Sequence, residues 1–461
     1  MSESRDLVVL GGGPGGYTAA LRAAQLGLSV ALVEKAELGG VCGNWGCIPS
    51  KSLIHAAHVF AQAGDSESLG IHADGLRFDY AAMVAHSRKV AAQMAKGVSG
   101  LLRRAGVEVI AAEGRLDGEG RLRLSSGDAI EARHILLAAG TEEMLLPGIQ
   151  VDAPRVVTSR ELLAETTAPE SLLVLGGGAI GVEFAFVFAC LGIPVTIIEV
   201  QDRLLPGMDA AVGKELERSL RRRGVTVRCA TRFASLATDA AGVKVQVETE
   251  SGGEELSADR LLVAVGRQLA PEKIGLDEAG VAVEAGRIVV DDAYWTSRLG
   301  VLAVGDLLDS PALAHAASAE GIAAVEILAG HRQPGRIDAR RIPACVYGHP
   351  EVACVGRSEE EAVADGFEVR CGTVRIRSLG RAAAAGETEG FVKLVTESRY
   401  GAILGAQIVA PGATDLIAEV VVAMEAEATV ETLAAAIHPH PTFSEALMEA
   451  ALSAMGHGIN A

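Results

Sequence analysis

The stretch Asp6-Leu7-Val8-Val9-Leu10-Gly11-Gly12-Gly13-Pro14-Gly15-Gly16 decides the reading of this chain. Residues 6–10 form an apolar run that reads as a buried strand. Gly11, Gly13 and Gly16 then stand in the spacing Gly-x-Gly-x-x-Gly, and a helical run follows from Tyr17 to Leu26. Gly27 ends that helix, and Ser29–Val33 reads as a second strand finishing at Glu34. In such a unit the glycines let the backbone approach a pyrophosphate. The helix N-terminus binds its charge, and the acid can accept ribose hydroxyls. A tight structural turn is the weaker reading, because both strands, the helix and Glu34 stand at the expected distances.

The unit recurs. Ser171–Leu175 leads to Gly176, Gly178 and Gly181 in the same spacing, a helix runs to about Leu191, and Val195–Ile198 ends at Glu199. Glu34 and Glu199 stand at the same offset from their first glycines. Short alternating strands follow each unit, at Arg121–Leu124 and Val243–Val247, and each copy closes on a similar run, Ile135–Gly140 and Leu261–Gly266. Two copies of one nucleotide-binding domain are therefore expected. An acid at Glu199 favours NAD over NADP by repelling a 2′-phosphate. Arg203 is the only nearby base, and a solvated strand end is the other reading of Glu199.

Between the copies lies Gly39-Gly40-Val41-Cys42-Gly43-Asn44-Trp45-Gly46-Cys47-Ile48-Pro49-Ser50-Lys51. If the two sulfurs meet, they can cycle between dithiol and disulfide, provided one thiol ionises easily. The apolar run after Pro49 reads as a helix, which places the cysteines in or near its first turn, where dipole and free N–H groups favour a thiolate. Pro49 suits that turn because it has no N–H to leave unused. Two buried small hydrophobes, or half a zinc site, are the competing readings; the remaining cysteines are scattered singly.

Composition narrows the classes. The chain has 461 residues, room for three or four domains, with 49% hydrophobic residues and 54 glycines. Aromatics are only 3%, against single-strand stacking platforms, and a net charge of -18 disfavours nucleic acid and anionic membranes. Arg221-Arg222-Arg223 reads as a solvated face at a helix end. Seven cysteines, odd and sparse, suggest a reducing compartment with one purposeful pair. No apolar run reaches the ~18 residues of a membrane span, and the first apolar run is broken by Gly11–Gly16, unlike a signal peptide. The cytoplasm is expected, or an organelle after trimming of a transit peptide.

Farther on, Val301–Val304 reads as a strand ending in Gly305-Asp306, with a small-residue helix after it. Asp306 can hold a polyol chain or cap that helix. Gly330–Gly335 is a candidate linker, and the chain beyond Ile342 mixes strands (Phe391–Val395, Ile403–Val409) with helices and carries no nucleotide fingerprint. Near its end His440 stands between two prolines, with Glu445 five residues later at a helix start. A carboxylate that orients an imidazole makes a general base; a rigid loop with incidental histidines is the alternative.

Together these motifs resemble the flavin-dependent pyridine nucleotide–disulfide oxidoreductases, from about residue 5 to 455. The carriers are Gly11–Tyr17, the cysteine stretch through Lys51, Gly176–Glu183, Gly305-Asp306 and His438–Glu445. The resemblance implies an α/β chain with two Rossmann-like dinucleotide-binding domains and a C-terminal α+β dimerisation domain. The expected divisions are 1–147 for FAD and the cysteine pair, 148–270 for NAD, 271–336 completing the FAD site, and 340–461 for a dimer interface. FAD would lie on Gly11, Gly13, Gly16 and Glu34, with Gly140 and Asp306, the latter on the ribityl chain. NAD would lie on Gly176, Gly178, Gly181, Glu199 and Gly266. Cys47 would be the thiol beside the flavin and Cys42 the one that meets substrate. Lys51 would sit near the reactive flavin nitrogen, paired with Glu183. His440, oriented by Glu445, would act as base across a homodimer interface. The implied reaction is oxidation of dihydrolipoamide on a lipoylated carrier, with no metal. Gly43, Trp45, Thr141–Met144, Gln268–Pro271 and Pro439 depart from the family pattern. Glutathione-type reductases would need arginines beyond Glu199, mercuric reductases a C-terminal cysteine pair, and a flavin-bearing redox sensor would not need His440 and Glu445.

Overall fold

The computed structural model describes residues 5–118 and 121–460, so the outermost expected domain limits, residues 1 and 461, lie outside the described residues. The chain divides into two compact units. The first comprises the chain up to Ser52, Val84–Met144 and Gly266–Ala339; the second comprises Leu53–Met83, Leu145–Val265 and the chain from Arg340 onward.

In the first unit, β1 (Arg5–Leu10) leads through the glycine turn into α1 (Pro14–Gln25) and β2 (Val30–Glu34). Pro14 opens the helix at its first position, three residues before the expected start, where a missing N–H costs nothing. Five parallel strands stand in the order Val301–Ala303, Ala132–Leu137, β1, β2, Glu108–Ala111. Leu7, Val8, Val9, Leu32, Leu136 and Leu302 are buried in this sheet, each side chain contributing about 1.5–3 kcal/mol by leaving water. Two close approaches set the packing. A Cβ on Gly16 would lie 1.8 Å from the Gly11 carbonyl, and one on Gly321 would lie 2.4 Å from the Gly15 carbonyl. The first contact seats α1 on β1; the second lets the helix Ala314–Leu328 cross α1, where Arg22 also pairs with Glu326 at 2.7 Å.

The second unit repeats the plan. Leu172–Leu175, the helix Ala179–Cys190 and Val195–Ile198 occupy the places of β1, α1 and β2. The parallel order is Thr226–Arg228, Val195–Ile198, Leu172–Leu175, Arg260–Val263, Val156–Val157. Only the fifth strand differs: it comes from before the glycine turn here and from far after it in the first unit. The short alternating strands belong to three-stranded antiparallel sheets, Gly114–Leu116 with Leu122–Leu124 and Ala129–Ile130, and Arg232–Asp239 with Gly242–Thr249 and Gly252–Ala258.

The second unit also holds a five-stranded antiparallel sheet in the order Ala344–Val346, Glu351–Gly356, Ile403–Ala410, Phe391–Glu397, Val369–Arg375. Helices Ala413–Glu425 and Glu445–Ala454 cover it. Gly372 lets the second of these approach, since a Cβ there would lie 1.9 Å from the Ala450 carbonyl. Buried Lys393 bridges Asp209 at 2.9 Å and Glu359 at 2.7 Å.

Two local expectations change. The helix after the cysteines begins at Cys47, two residues before Pro49, and Cys42 lies in a separate short helix. The run Arg221–Arg223 is a solvated face only in part: Arg221 and Arg222 stay exposed while donating to Glu217 and the Val227 carbonyl and pairing with Glu389, but Arg223 is half-buried, donates to the His349 carbonyl and covers Phe186. Arg223 thereby sits beside two stacked imidazoles, His58 and His349, whose ring centroids are 4.3 Å apart. Burial, helped by the His58 and Arg223 charges, pushes His349 down to about 4, Glu389 opposing; burial likewise lowers His58, with Arg223 and His55 adding to it. Glu387 lies 3.7 Å from His349 Nε2. Because the folded state holds His349 neutral, its contribution is complete above the ordinary histidine value and lost as pH falls toward 4. We expect thermal melts to show a loss of ~2 kcal/mol from this residue by pH 5, and His349→Asn to flatten the slope of Tm between pH 7 and 5.

Candidate active site

The first unit carries the cysteine pair. α2 (Gly40–Trp45) holds Cys42, and α3 (Cys47–Gly64) begins with Cys47. The two are joined as a disulfide with Cα atoms 4.6 Å apart. Cys47 therefore occupies the first turn of an 18-residue helix, where the dipole and unused N–H groups stabilise a thiolate. Lys51 follows one turn later on α3. Gly39 and Gly40 have positive φ, and a Cβ on Gly40 would lie 2.7 Å from the Gly13 Cα. The Gly39 N–H also donates to the Gly12 carbonyl at 2.8 Å. These glycines bring the cysteine segment directly against the first nucleotide turn.

That turn is built to receive a phosphate. α1 has Gly13 as its N-cap, and no side chain caps its free N–H groups. The second copy matches it: Gly178 caps the helix Ala179–Cys190 with no side-chain bond, and a Cβ there would meet nothing within 4 Å. Gly11 and Gly176 both have positive φ, and Gly181 repeats the close approach of Gly16, 2.0 Å from the Gly176 carbonyl. The acids repeat too. Glu34 accepts the Gly12 N–H at 2.7 Å and the Ala36 N–H at 2.8 Å; Glu199 accepts the Gly177 N–H at 2.6 Å and the Gln201 N–H at 2.8 Å. Glu199 is only 7% exposed, so it is no solvated strand end. Each carboxylate oxygen keeps a lone pair for a ribose hydroxyl. The geometry fits two dinucleotides.

Asp306 does not cap the helix Ala314–Leu328, whose N-cap is Leu313. It accepts the Thr141 hydroxyl at 3.2 Å, and Thr141 in turn accepts Arg267 Nε at 3.0 Å. Residues Glu142–Glu143 pair with Arg267–Gln268 as a short antiparallel ribbon, with Arg267 also on Glu143. Sequence reasoning gave Thr141 and Arg267 no role; the signal was the charge match of Glu142-Glu143 with Arg267, just ahead of Gln268–Pro271. Gly140 and Gly266 both take positive φ at the edges of this ribbon.

The second unit carries His440 and Glu445, the pair expected as acid–base groups. His440 Nδ1 lies 2.9 Å from Glu445, and its side chain is 73% exposed. Glu445, the first residue of its helix, also accepts the Thr442 N–H at 2.8 Å. Burial favours its neutral form, but the Thr442 bond and then the His440 imidazole outweigh that, and its pKa lies below the usual carboxylate value. With Nδ1 held by Glu445, proton traffic falls to Nε2. His438 differs: both ring nitrogens are engaged, by Glu419 at 2.8 Å and the Ala436 carbonyl at 3.0 Å, and its side chain is 6% exposed. Glu183 is buried and accepts the Tyr347 N–H at 3.1 Å. The structure thus unites Cys42 with Cys47, and His440 with Glu445, in different units.

Four of the other five cysteines are unsuited to such chemistry. Burial pushes the Cys190, Cys229 and Cys371 thiols up to about 11, and Cys354 higher still. No grouping of His, Cys, Asp or Glu among the described residues could hold a metal ion. No helix among them is long and apolar enough to cross a membrane.

Known proteins share this architecture. Residues 5–321 match the pyridine nucleotide-disulphide oxidoreductase family, and residues 342–451 match its dimerisation domain. The chain belongs to the pyridine nucleotide-disulphide oxidoreductases. Within this family it is 42% identical to the dihydrolipoyl dehydrogenase of Chlorobaculum tepidum, over 98% of this chain and 97% of that one. It is 37% identical to the dihydrolipoyl dehydrogenase of Bacillus subtilis over the full length of both. The crystal structure of LpdA from Mycobacterium tuberculosis superposes with a TM-score of 0.89 at 30% identity, covering 96% of this chain and 98% of that one. The α/β class, the two Rossmann-like domains and the dimerisation domain expected from the sequence are those of the family.

Glu199 generates a test of the second turn. NADH should bind this oxidoreductase far more tightly than NADPH, as measured by titration calorimetry. Glu199→Ala combined with Val200→Arg should move the ratio toward NADPH; a wild-type ratio near one contradicts the role given to Glu199.

Proposed function

We propose that this oxidoreductase is a dihydrolipoyl dehydrogenase: it oxidises the dithiol of a dihydrolipoyl group and passes the electrons through Cys42–Cys47 and FAD to NAD. The observation that carries the reading is a disulfide at the first turn of α3, packed against a dinucleotide turn, in a chain that also presents an exposed imidazole oriented by a carboxylate. The full-length similarity to dihydrolipoyl dehydrogenases supports the same reading. In the division of labour, residues 1–147 with 271–336 hold FAD, 148–270 hold NAD, and 340–461 form a homodimer interface. The carrier is a lipoylated domain or protein of a 2-oxoacid dehydrogenase or glycine cleavage complex. The single disulfide beside five free cysteines supports a reducing compartment, the cytoplasm.

Gly11, Gly13, Gly16, Glu34, Gly140 and Asp306 would hold FAD, and Gly176, Gly178, Gly181, Glu199 and Gly266 would hold NAD. When bound, FAD supplies a two-electron acceptor beside the cysteine pair and NAD the terminal one. The protein's own steps begin with His440 Nε2, which takes a proton from one substrate thiol while Glu445 stabilises the charged ring. The substrate thiolate attacks Cys42 Sγ, the Cys42–Cys47 bond breaks, and Cys47 leaves as a thiolate at the N-terminus of α3. The second substrate thiol then attacks the substrate sulfur of the mixed disulfide and gives its proton to the departing Cys42 sulfur, while His440 keeps the first proton. The cyclic disulfide product departs, two electrons stay on the cysteine pair, and Cys42 takes a proton. Lys51, one turn after Cys47 on α3, adds positive charge near the electron path.

The primary test is turnover with NADH and lipoamide, and its absence in folded, FAD-replete protein overturns the proposal. His440→Gln should lower that rate by about 10²–10⁴ while leaving NADH-dependent reduction of artificial acceptors intact. His438→Gln should be far milder, and equal losses mean that the base is misassigned. Cys42→Ser should show a long-wavelength flavin–thiolate absorbance at neutral pH that Cys47→Ser lacks.

Sharing of each site between two chains has its own test. Cys42→Ser and His440→Gln chains, dissociated together and reassembled with FAD, should regain about a quarter of wild-type activity, because half the dimers contain one intact site. Proven heterodimers without recovery mean that each site is built within one chain.

A further inference from the structure

Trp45 stands between the two cysteines, and the mechanism above gives it no part. Its partner is Arg88 of α4 (Tyr80–Arg104). The Arg88 guanidinium carbon lies 3.7 Å from the Trp45 ring centroid, and its Nη1 donates to the Asn44 carbonyl. Asn44 is 3% exposed, and its amide donates to the Leu38 and Gly40 carbonyls, both at 3.0 Å. Residues 38–45 are therefore one tied knot, fastened to α4 by Arg88.

We propose that Arg88 is a positioning residue for the cysteine pair: held by Trp45 and Asn44, it fixes α2 and places a permanent positive charge beside the thiolate that forms when the disulfide opens. The closed disulfide is neutral and the opened pair is not, so a fixed cation favours only the opened form. A guanidinium suits this role, because it stays charged and stacks on an indole face while bonding a carbonyl in its own plane. The Asn44 carbonyl belongs to the last turn of α2, whose negative end meets the start of α3 at Gly46, next to Cys47. Arg88 covers that carbonyl and so removes a partial negative charge from the place where a sulfur anion must form. An aliphatic residue at position 45 offers no face to hold the guanidinium. The titratable groups nearest in sequence are Glu37 before α2, Lys51 and His55 on α3, and His86 and Lys89 beside Arg88 on α4. Glu37 opposes the effect, and Lys51 and Lys89 add to it.

The inference rests on the pair cycling as a dithiol, and the experiment separates the two claims. The FAD-loaded enzyme is reduced with dithiothreitol, desalted without oxygen and alkylated with iodoacetamide from pH 5 to 9. Uptake is read at Cys42 and Cys47 by peptide mass spectrometry. No gain of label at these residues on reduction overturns the dithiol reading itself. With the gain established, Arg88→Met should move the half-maximal pH upward by about one unit, Arg88→Lys by clearly less, and Trp45→Leu by an intermediate amount. A loss of packing alone would not order the variants by charge. An unchanged profile in folded Arg88→Met overturns the proposal, and if that variant does not fold, an unchanged profile in folded Trp45→Leu overturns it instead.

Discussion

One hydrogen bond, made twice, holds the nucleotide turns in shape: a glutamate at the end of a strand accepts the N–H of the second glycine in the preceding loop. Gly12 donates to Glu34, and Gly177 donates to Glu199. The bond joins the loop to the neighbouring strand and keeps the helix N-terminus directed at the space above the sheet. Everything local is arranged to permit it. Gly11 and Gly176 adopt a positive φ that other residues rarely take, and Gly16 and Gly181 let the helix settle on the strand against a carbonyl.

Chemistry is placed by the same economy of backbone. Gly39 and Gly40 press the cysteine segment against the first turn, so the disulfide is positioned by main chain, with little reliance on long side chains. Cys47 gains its electrostatic setting from being the first residue of a long helix. The acid–base pair is positioned in an analogous way, with Glu445 at the head of its helix and anchored by the Thr442 N–H. Gly372 lets that helix press onto the antiparallel sheet, so a residue far from the histidine in sequence supports its orientation.

Much of this was legible in the sequence because it depends on local patterns. The glycine spacing, the terminal acids, the cysteine interval and the interval from His440 to Glu445 each encode a short-range geometry, and the strands and helices around them obey simple apolar periodicity. What escaped was long-range. Arg267 reaches Asp306 through Thr141, across segments more than a hundred residues apart in sequence. The arginine run at 221–223 is a solvated end at Arg221 and Arg222, but nothing local reveals that Arg223 turns inward to meet the His349 carbonyl. Pro49 marks the first turn of the helix that begins at Cys47, as its missing N–H allows, whereas the separate short helix around Cys42 carries no such local signal.

The duplication has a consequence for anyone who would re-engineer this protein. The two glycine turns agree in their positive φ values, uncapped helices, carboxylate bonds and close approaches, so as binding surfaces they are nearly interchangeable parts. Choice between a flavin and a nicotinamide dinucleotide cannot reside in them. It has to be written in what surrounds each turn: the cysteine segment, Thr141 and Asp306 on one side, and the strand end at Glu199 and Val200 on the other. A design that seeks a new cofactor should therefore keep the fingerprints as fixed connectors and vary the flanks.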